Sequence, residues 1–249
     1  MTIFKRLGIF WGMGIGMFLL RLSQNASCFD PVTGLYTRGA AGIALAALII
    51  VALALSFLFS RFDSKERPLF AEHFSAPERA TTTLVVAAFL FALGGVLLGK
   101  DALASEMRIA ALVAAAFAVL SCVSLLVLTR QMRSENGARS VLPTLSPMFF
   151  AAFWVLTLYL PAASDPILAR YYLPVLSAAV SAYALAQFAG FFRKETRVRT
   201  FRFIVSFAIT LCIASAAELN AHSILFAACA LMLSVFMALE GKTGNEKSE

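Results

Sequence analysis

Eight apolar segments, each close to the length that crosses a lipid bilayer, dominate this sequence of 249 residues. A membrane-spanning helix needs about 20 consecutive apolar residues. Only 14% of the residues are charged, whereas soluble domains carry about 25%. A soluble core could not bury this much apolar surface, so lipid is the expected solvent. The segments cover about residues 7–22, 39–60, 80–99, 108–129, 145–162, 167–192, 203–218 and 222–239.

The fold class that follows is all-α, a polytopic transmembrane helix bundle of about eight helices. Residues 1–249 form a single bundle without a soluble domain, and the short charged tail 241–249 is predicted to be disordered. The four cysteines suggest neither a disulfide framework nor a metal set, because three of them lie within apolar segments. The lipid bilayer is therefore the first expected partner.

The basic residues favour one side of the membrane. If the N-terminus is cytoplasmic, 16 of the 21 Lys and Arg residues lie in cytoplasmic segments and five lie outside. Nine of the 14 acidic residues are also cytoplasmic, so the net charge of +7 resides there. The positive-inside rule then predicts that both termini are cytoplasmic. Anionic lipid headgroups, and no nucleic acid, are the expected partners of these basic loops.

Small residues recur every fourth position on three segments, which on a helix forms a smooth stripe. Such stripes allow close helix–helix packing in lipid. The most regular stripe lies in the first segment, so this segment is predicted to pack tightly against another helix. The stripes comprise Gly8, Gly12 and Gly16 in the first segment, Gly95 and Gly99 in the third, and Ala178, Ala182, Ala186 and Gly190 in the sixth.

The longest cytoplasmic connection, residues 61–79, contains a small apolar group between two prolines. Leu69, Phe70 and Phe74, together with His73, are enough for one short amphipathic turn. We therefore predict that this turn lies at the membrane interface.

Several landmarks occur twice in the same order. The two tryptophans are Trp11 and Trp154, and the two Asp-Pro steps begin at Asp30 and Asp165. This suggests two tandem halves of four helices, about 1–140 and 141–249, related by an axis along the membrane normal. Coincidence is the alternative, because Asp-Pro before a helix is ordinary helix-start chemistry.

Polar residues gather near the predicted outer ends of the helices. They suggest an outward-facing ligand-binding site closed by the first outer loop, in which Arg21 and Asp30 could pair. The alternative is a structural cap over the bundle, and a tight turn explains the short Glu218–His222 segment better than a metal site does. No metal, cofactor or catalytic residue is expected. The candidate ligand-binding residues are Arg21, Gln24, Asp30, Asp165, Arg170, Glu218 and His222, with Gln187 deeper in the sixth segment.

The sequence favours the first of two classes of function, and the second is the alternative. A small-molecule transport or binding component would use the outer polar residues. A non-transporting membrane scaffold or regulatory subunit would explain the scarcity of ionisable residues at depth, since ion-coupled pumps normally need them. The second class implies a membrane-protein partner or a homo-oligomer. An intramembrane enzyme ranks third, because no catalytic motif occurs in the chain.

The sequence from Phe29 to Leu35, with Phe153-Trp154 and Asp165-Pro166 later in the chain, carries a resemblance. It resembles a family of uncharacterised multi-pass membrane proteins of anaerobic Gram-positive bacteria. The resemblance implies location in a bacterial cytoplasmic membrane and no particular substrate.

Overall fold

The structure is a computed structural model that describes residues 3–29, 36–37, 39–63, 65–70, 74, 78–103, 108–133, 140–164 and 168–239. Within these residues the chain forms eight long α-helices and two short 3-10 turns. The turns, Phe191–Arg193 and Ala216–Glu218, follow the sixth and seventh helices. The helices are α1 (Ile3–Ser27), α2 (Ala40–Ser60), α3 (Glu78–Leu103), α4 (Arg108–Arg133), α5 (Leu142–Ser164), α6 (Leu168–Gly190), α7 (Val198–Ser215) and α8 (Ala221–Leu239).

The prediction of an all-α polytopic bundle is confirmed. All eight helices in the described part of the chain are long and apolar enough to span a membrane. Their outward faces remain apolar, as shown by Ile43 at 69% exposed, Phe89 at 62% and Val123 at 58%. Water would penalise these faces and lipid does not. The protein is therefore a multi-pass membrane protein in contact with the lipid bilayer.

The predicted helix boundaries agree with the structure to within a few residues at most ends. The largest differences, of five residues, are at the end of α1, which reaches Ser27 instead of about residue 22, and at the start of α7, which begins at Val198 instead of about residue 203. Hydropathy excluded Arg199 and Arg202 from the span because both are charged. Both are nevertheless helical, since long arginine side chains near a helix end can reach the headgroup region.

Helices α7 and α8 form the centre of the bundle. Of the most apolar stretch in each, 72% and 67% of the residues are buried, against 22% in α1 and 22% in α2. Helix α7 packs against α1, α2, α6 and α8, and α8 packs against α3 as well. Helices α3 to α6 follow one another as packed neighbours. Helix α2 therefore lies at the edge, where it contacts α1 and α7.

The glycine stripe of α1 faces away from the bundle. A β-carbon added at Gly8, Gly12 or Gly16 would meet no atom within 4 Å. The prediction that this stripe packs against a helix is therefore wrong for contacts within the described part of the chain. The close contact of α1 is made by Gly14, where an added β-carbon would lie 2.8 Å from Cβ of Ile213 on α7.

The other stripes behave differently from one another. On α3, a β-carbon at Gly95 would lie 2.9 Å from Cβ of Ala118 on α4, so the predicted close packing is confirmed there. On α6, Ala178 is buried and Ala186 is exposed. The alanine row therefore turns out of the bundle along the helix.

Phe70 and Phe74, in the connection between α2 and α3, are part of the core. Both side chains are 1% exposed. The ring of Phe74 lies 5.3 Å from that of Phe188 and 5.2 Å from that of Phe191. The prediction of an amphipathic turn on the membrane surface is therefore wrong for these two residues, because the ends of α6 and α7 offer an aromatic pocket. His73 lies outside the described residues.

Three buried hydroxyl groups of α6 and α7 donate to helix backbone. Ser206 and Thr210 each donate to the carbonyl four residues earlier, at 2.7 and 3.1 Å. Ser177 donates to Leu173 at 2.7 Å and pairs with the hydroxyl of Ser215 at 2.6 Å. These groups tie the two helices together and provide no row of open ligands across the membrane.

The tandem repeat and the cytoplasmic orientation of the termini stay predictions. The two tryptophans occupy different surroundings. Trp11 is half-buried and donates to Ser234 at 2.9 Å, whereas Trp154 is fully buried. Both Asp-Pro steps and the tail 241–249 lie outside the described residues.

Candidate functional site

The centre of the polar cluster is Arg21, which lies six residues before the end of α1 and is 0% exposed. Its Nε and Nη2 groups both donate to Oε1 of Glu218, at 2.9 and 2.6 Å. Its Nη1 group donates to Oε1 of Gln24 at 2.8 Å. A guanidinium presents its donors in a rigid plane, so these bonds fix its orientation. Arg21 thus ties α1 to the end of α7.

Glu218 reaches Arg21 because the chain turns sharply after α7. The 3-10 turn Ala216–Glu218 ends at Leu219, which has a left-handed backbone with φ 53°. The turn is closed by Asn220, whose side-chain oxygen accepts from the His222 amide at 3.0 Å. This turn carries Glu218 to one side and sends His222 into α8. The predicted tight turn is therefore present.

Aromatic and small residues surround the ion pair. The Arg21 guanidinium lies over the ring of Tyr172, 5.8 Å from its centroid. Gln24 hydrogen-bonds the Tyr172 side chain, which brings the start of α6 into the same cluster. A β-carbon on Gly42, near the start of α2, would collide with the Tyr36 hydroxyl group. Glycine is needed there so that α2 can approach this polar group.

His222 belongs to a different contact. Its Nδ1 accepts a hydrogen bond of 2.9 Å from Nε1 of Trp154, which is fully buried on α5. The imidazole also stacks near that indole ring, with centroids 6.3 Å apart. Glu218 and His222 therefore turn to separate partners, although they are four residues apart in the sequence.

The structure brings together only part of the predicted set. Arg21, Gln24 and Glu218 form one cluster at the end of the bundle where α1 and α7 finish. Gln187 does not join it, because it lies in the last turn of α6, at the opposite end of the bundle. Arg170 lies in the first turn of α6, but its side chain is outside the described part of the structure, as are the residues Asp30 and Asp165.

A second charged cluster at the other end of the bundle was not predicted. Asp63, just after α2, accepts from Arg6 at 2.5 Å and from Arg202 at 2.7 Å. Arg6 is 5% exposed, and its guanidinium lies 6.0 Å from the centroid of Phe59. The residues are 57 and 139 positions apart in sequence. No local sequence pattern could have paired them. The only signal in the sequence is that arginines occur near the helix ends.

Comparison with protein-family models, with curated proteins and with solved structures finds no match to this chain. The class of the protein therefore follows from its own helices and clusters. It is an integral membrane protein whose ionisable residues, in the described part of the chain, concentrate at the two ends of the bundle. Both described charged clusters join helices that are distant in sequence.

Proposed function

We propose that this protein is a non-transporting membrane scaffold or regulatory subunit, which binds an apolar membrane-spanning helix of a partner along α1. The observation that carries this proposal is the aromatic packing of the bundle interior. A transporter of polar solutes needs a polar path, and here rings occupy the positions where helices face one another.

The rings run from one end of the bundle toward the other. Phe188 on α6 stacks on Phe236 of α8, with centroids 3.8 Å apart and planes 4° apart. Trp154 lies 5.1 Å from Phe150 and 4.4 Å from Phe226 of α8. Interiors packed in this way resist opening, because a shift of one ring disturbs several neighbours. This supports a structural role over an alternating-access role.

The outward face of α1 is the surface on which a partner helix would lie. Gly8, Gly12 and Gly16 leave open space along it, and its neighbours Ile15 and Leu19 are 50% and 60% exposed. Small residues beside larger apolar ones let two helix backbones approach and interdigitate in lipid. An apolar helix with small residues on its own contact face fits this surface.

Cross-linking in native membranes tests this proposal. Gly12→Cys is introduced into a chain whose four native cysteines are replaced by alanine, and Val123→Cys on the lipid-facing side of α4 is the matched control. The introduced cysteine is labelled with a photoactivatable benzophenone maleimide, which needs no thiol on the partner, and we expect a cross-linked adduct at position 12 and none at position 123. A mass of twice the chain would identify a second copy, and any other mass would identify a different helix.

Two results would contradict the scaffold proposal. One is the absence of any adduct at position 12, and the other is equal labelling at both positions, which would mean random collision. In a further variant the cysteine is placed at position 9 (Ile9→Cys). Adding Gly12→Leu to this variant should abolish its adduct, because the larger side chain would keep the partner helix away from α1.

A small-molecule transport or binding component is the second candidate. The observation that favours it is the charged pair at the predicted outer end, where the Glu218 side chain keeps 16% exposure while Arg21 has none. A ligand with a cationic group could then approach Glu218 from outside. A thermal shift with a metabolite that Glu218→Gln abolishes would support this candidate, and no shift across a broad metabolite set would oppose it.

A further inference from the structure

A lipid-facing groove lies between α2, α6 and α7. Its volume is about 330 Å³. Leu53 of α2 forms one wall, Val180 and Tyr183 of α6 form the opposite wall, and the floor is α7, with Phe203 and Thr200 among its residues. The lining is almost entirely apolar, so the groove suits a hydrocarbon chain better than a polar solute.

The α2 wall of the groove leads to an arginine. Leu53, Phe57 and Arg61 are spaced four apart, so they lie along one face of α2 and its end. The ring of Phe57 packs edge-on against Phe203 of the groove, with centroids 6.2 Å apart. The Arg61 guanidinium lies over the Phe57 ring, 5.8 Å from its centroid. The side chain of Arg61 therefore folds back toward the groove.

The α7 floor also leads to an arginine at the same end. Phe207 and Phe203 line the groove, and Arg199 is one turn further toward the start of α7. The N-cap residue, Arg197, provides no side-chain hydrogen bond to this helix start. The Val198 amide donates to the backbone carbonyl of Glu66 at 3.2 Å, and the other amide groups of the first turn of α7 add positive potential beside Arg199.

Neither Arg61 nor Arg199 forms an ion pair within the described part of the chain. The nearby Asp63 is already shared by Arg6 and Arg202. The end of the groove therefore combines a helix N-terminus with two arginines that are outside the described ion pairs.

We propose that this groove binds an anionic glycerophospholipid. One acyl chain lies between Leu53 and Val180, and the headgroup phosphate lies between Arg61 and Arg199. The apolar walls match the acyl chain of such a lipid, and the two arginines at the end of the groove match its anionic headgroup. The inference is independent of the scaffold proposal, because α1 does not line the groove.

Native mass spectrometry of the full-length protein in neutral detergent tests this. The protein is titrated with phosphatidylglycerol, with phosphatidylcholine of the same chains, and with glycerol 3-phosphate, which has no chains. We expect a preference for phosphatidylglycerol. The double variant Arg61→Gln/Arg199→Gln should bind it about 30-fold more weakly.

The control is Arg130→Gln/Arg193→Gln, which removes the same charge at the same end from exposed positions and should keep the preference. Leu53→Trp fills the groove from a half-exposed position and should also weaken binding, with the thermal midpoint confirming that the variant is folded. An equal loss in the control, or no preference in the wild type, would overturn the proposal. Competition by glycerol 3-phosphate at the same concentration would show a headgroup site alone and would overturn the assignment of the groove.

Discussion

At the scale of single residues, Arg21 shows how a cation can be accommodated in a bundle of apolar helices. The guanidinium is fully buried, yet the three nitrogens donate to Glu218 and Gln24 and the face of the guanidinium covers Tyr172. A buried charge is costly when it loses its partner, while replacing both partners by apolar groups is often nearly neutral. Removing one member of the Arg21–Glu218 pair should therefore cost more free energy than the intact pair contributes to stability.

Glu218→Gln is expected to lower the free energy of unfolding by about 3 kcal/mol, because the Nε and Nη2 groups of buried Arg21 would lose the carboxylate to which they donate. Arg21→Met should cost a similar amount, since Glu218 would lose its donors. In the double variant Arg21→Met/Glu218→Gln the loss should be clearly smaller than the sum. Denaturation in detergent measures all three, and additive losses would show that the two residues do not interact.

Leu219→Gly is expected to raise the thermal midpoint of the protein. Leu219 holds a left-handed backbone at φ 53° and is 76% exposed. A β-carbon costs about 1 kcal/mol in this conformation, and little packing would be lost. Leu219→Ala serves as the control, because it removes the exposed side chain and keeps the strain. A midpoint that rises equally in both variants would point to exposure instead of backbone strain.

At the scale of the helix, the two faces of α1 have opposite tolerance to added atoms. Gly14→Ala should destabilise the protein by about 1–3 kcal/mol, because the added carbon would lie 2.8 Å from Cβ of Ile213, an atom fixed close to the backbone. Gly12→Ala on the same helix meets open space and should be neutral or slightly stabilising in unfolding experiments. Similar midpoints for the two variants would mean that α1 does not approach α7 as described.

The helices were predictable from the sequence, and their contact faces were not. Long apolar segments determine where a span lies because lipid admits little else. The same apolar residues serve both the lipid face and the interior, so hydropathy could not distinguish Gly14 from Gly12 on α1. The aromatic residues of the loop before α3 were misassigned for the same reason. Phe70 and Phe74 are suited by their apolar rings to the membrane interface as well as to the protein interior. The aromatic pocket at the ends of α6 and α7 favours the interior.

Part of the candidate site was predictable as well. Polar residues at matching helix ends indicated that Arg21, Gln24 and Glu218 lie at one end of the bundle. Which residue pairs with Arg21 depends on helix packing between residues 197 positions apart. The Arg6–Asp63–Arg202 cluster was not predicted for the same reason. In the sequence, each of these residues looks like an ordinary loop charge that sets the membrane topology.

At the scale of the whole molecule, the orientation in the membrane is the property on which the outer site and the lipid groove both depend. A single cysteine at exposed position 197, between α6 and α7, should be protected from an impermeant maleimide added outside intact cells. A cysteine at position 23, near the end of α1, should react, because Ser23 is exposed at the predicted outer end. Disruption of the membrane should expose position 197. The reverse labelling pattern in intact cells would show that the bundle has the opposite orientation in the membrane.

The two charged clusters have a further consequence for synthesis of the chain. The contact of Arg21 with Glu218 forms only after 197 further residues have been added, and Asp63 receives Arg202 only 139 residues after its own translation. At about 5–20 residues per second, the ribosome needs roughly 10–40 s to cover the longer interval. During that period the first helices reside in the bilayer without the contacts that Glu218 and Arg202 provide. A chain that stops before α7 can never form the contacts to Glu218 and Arg202. Membrane quality control could therefore recognise an incomplete chain by the positive charge of its α1.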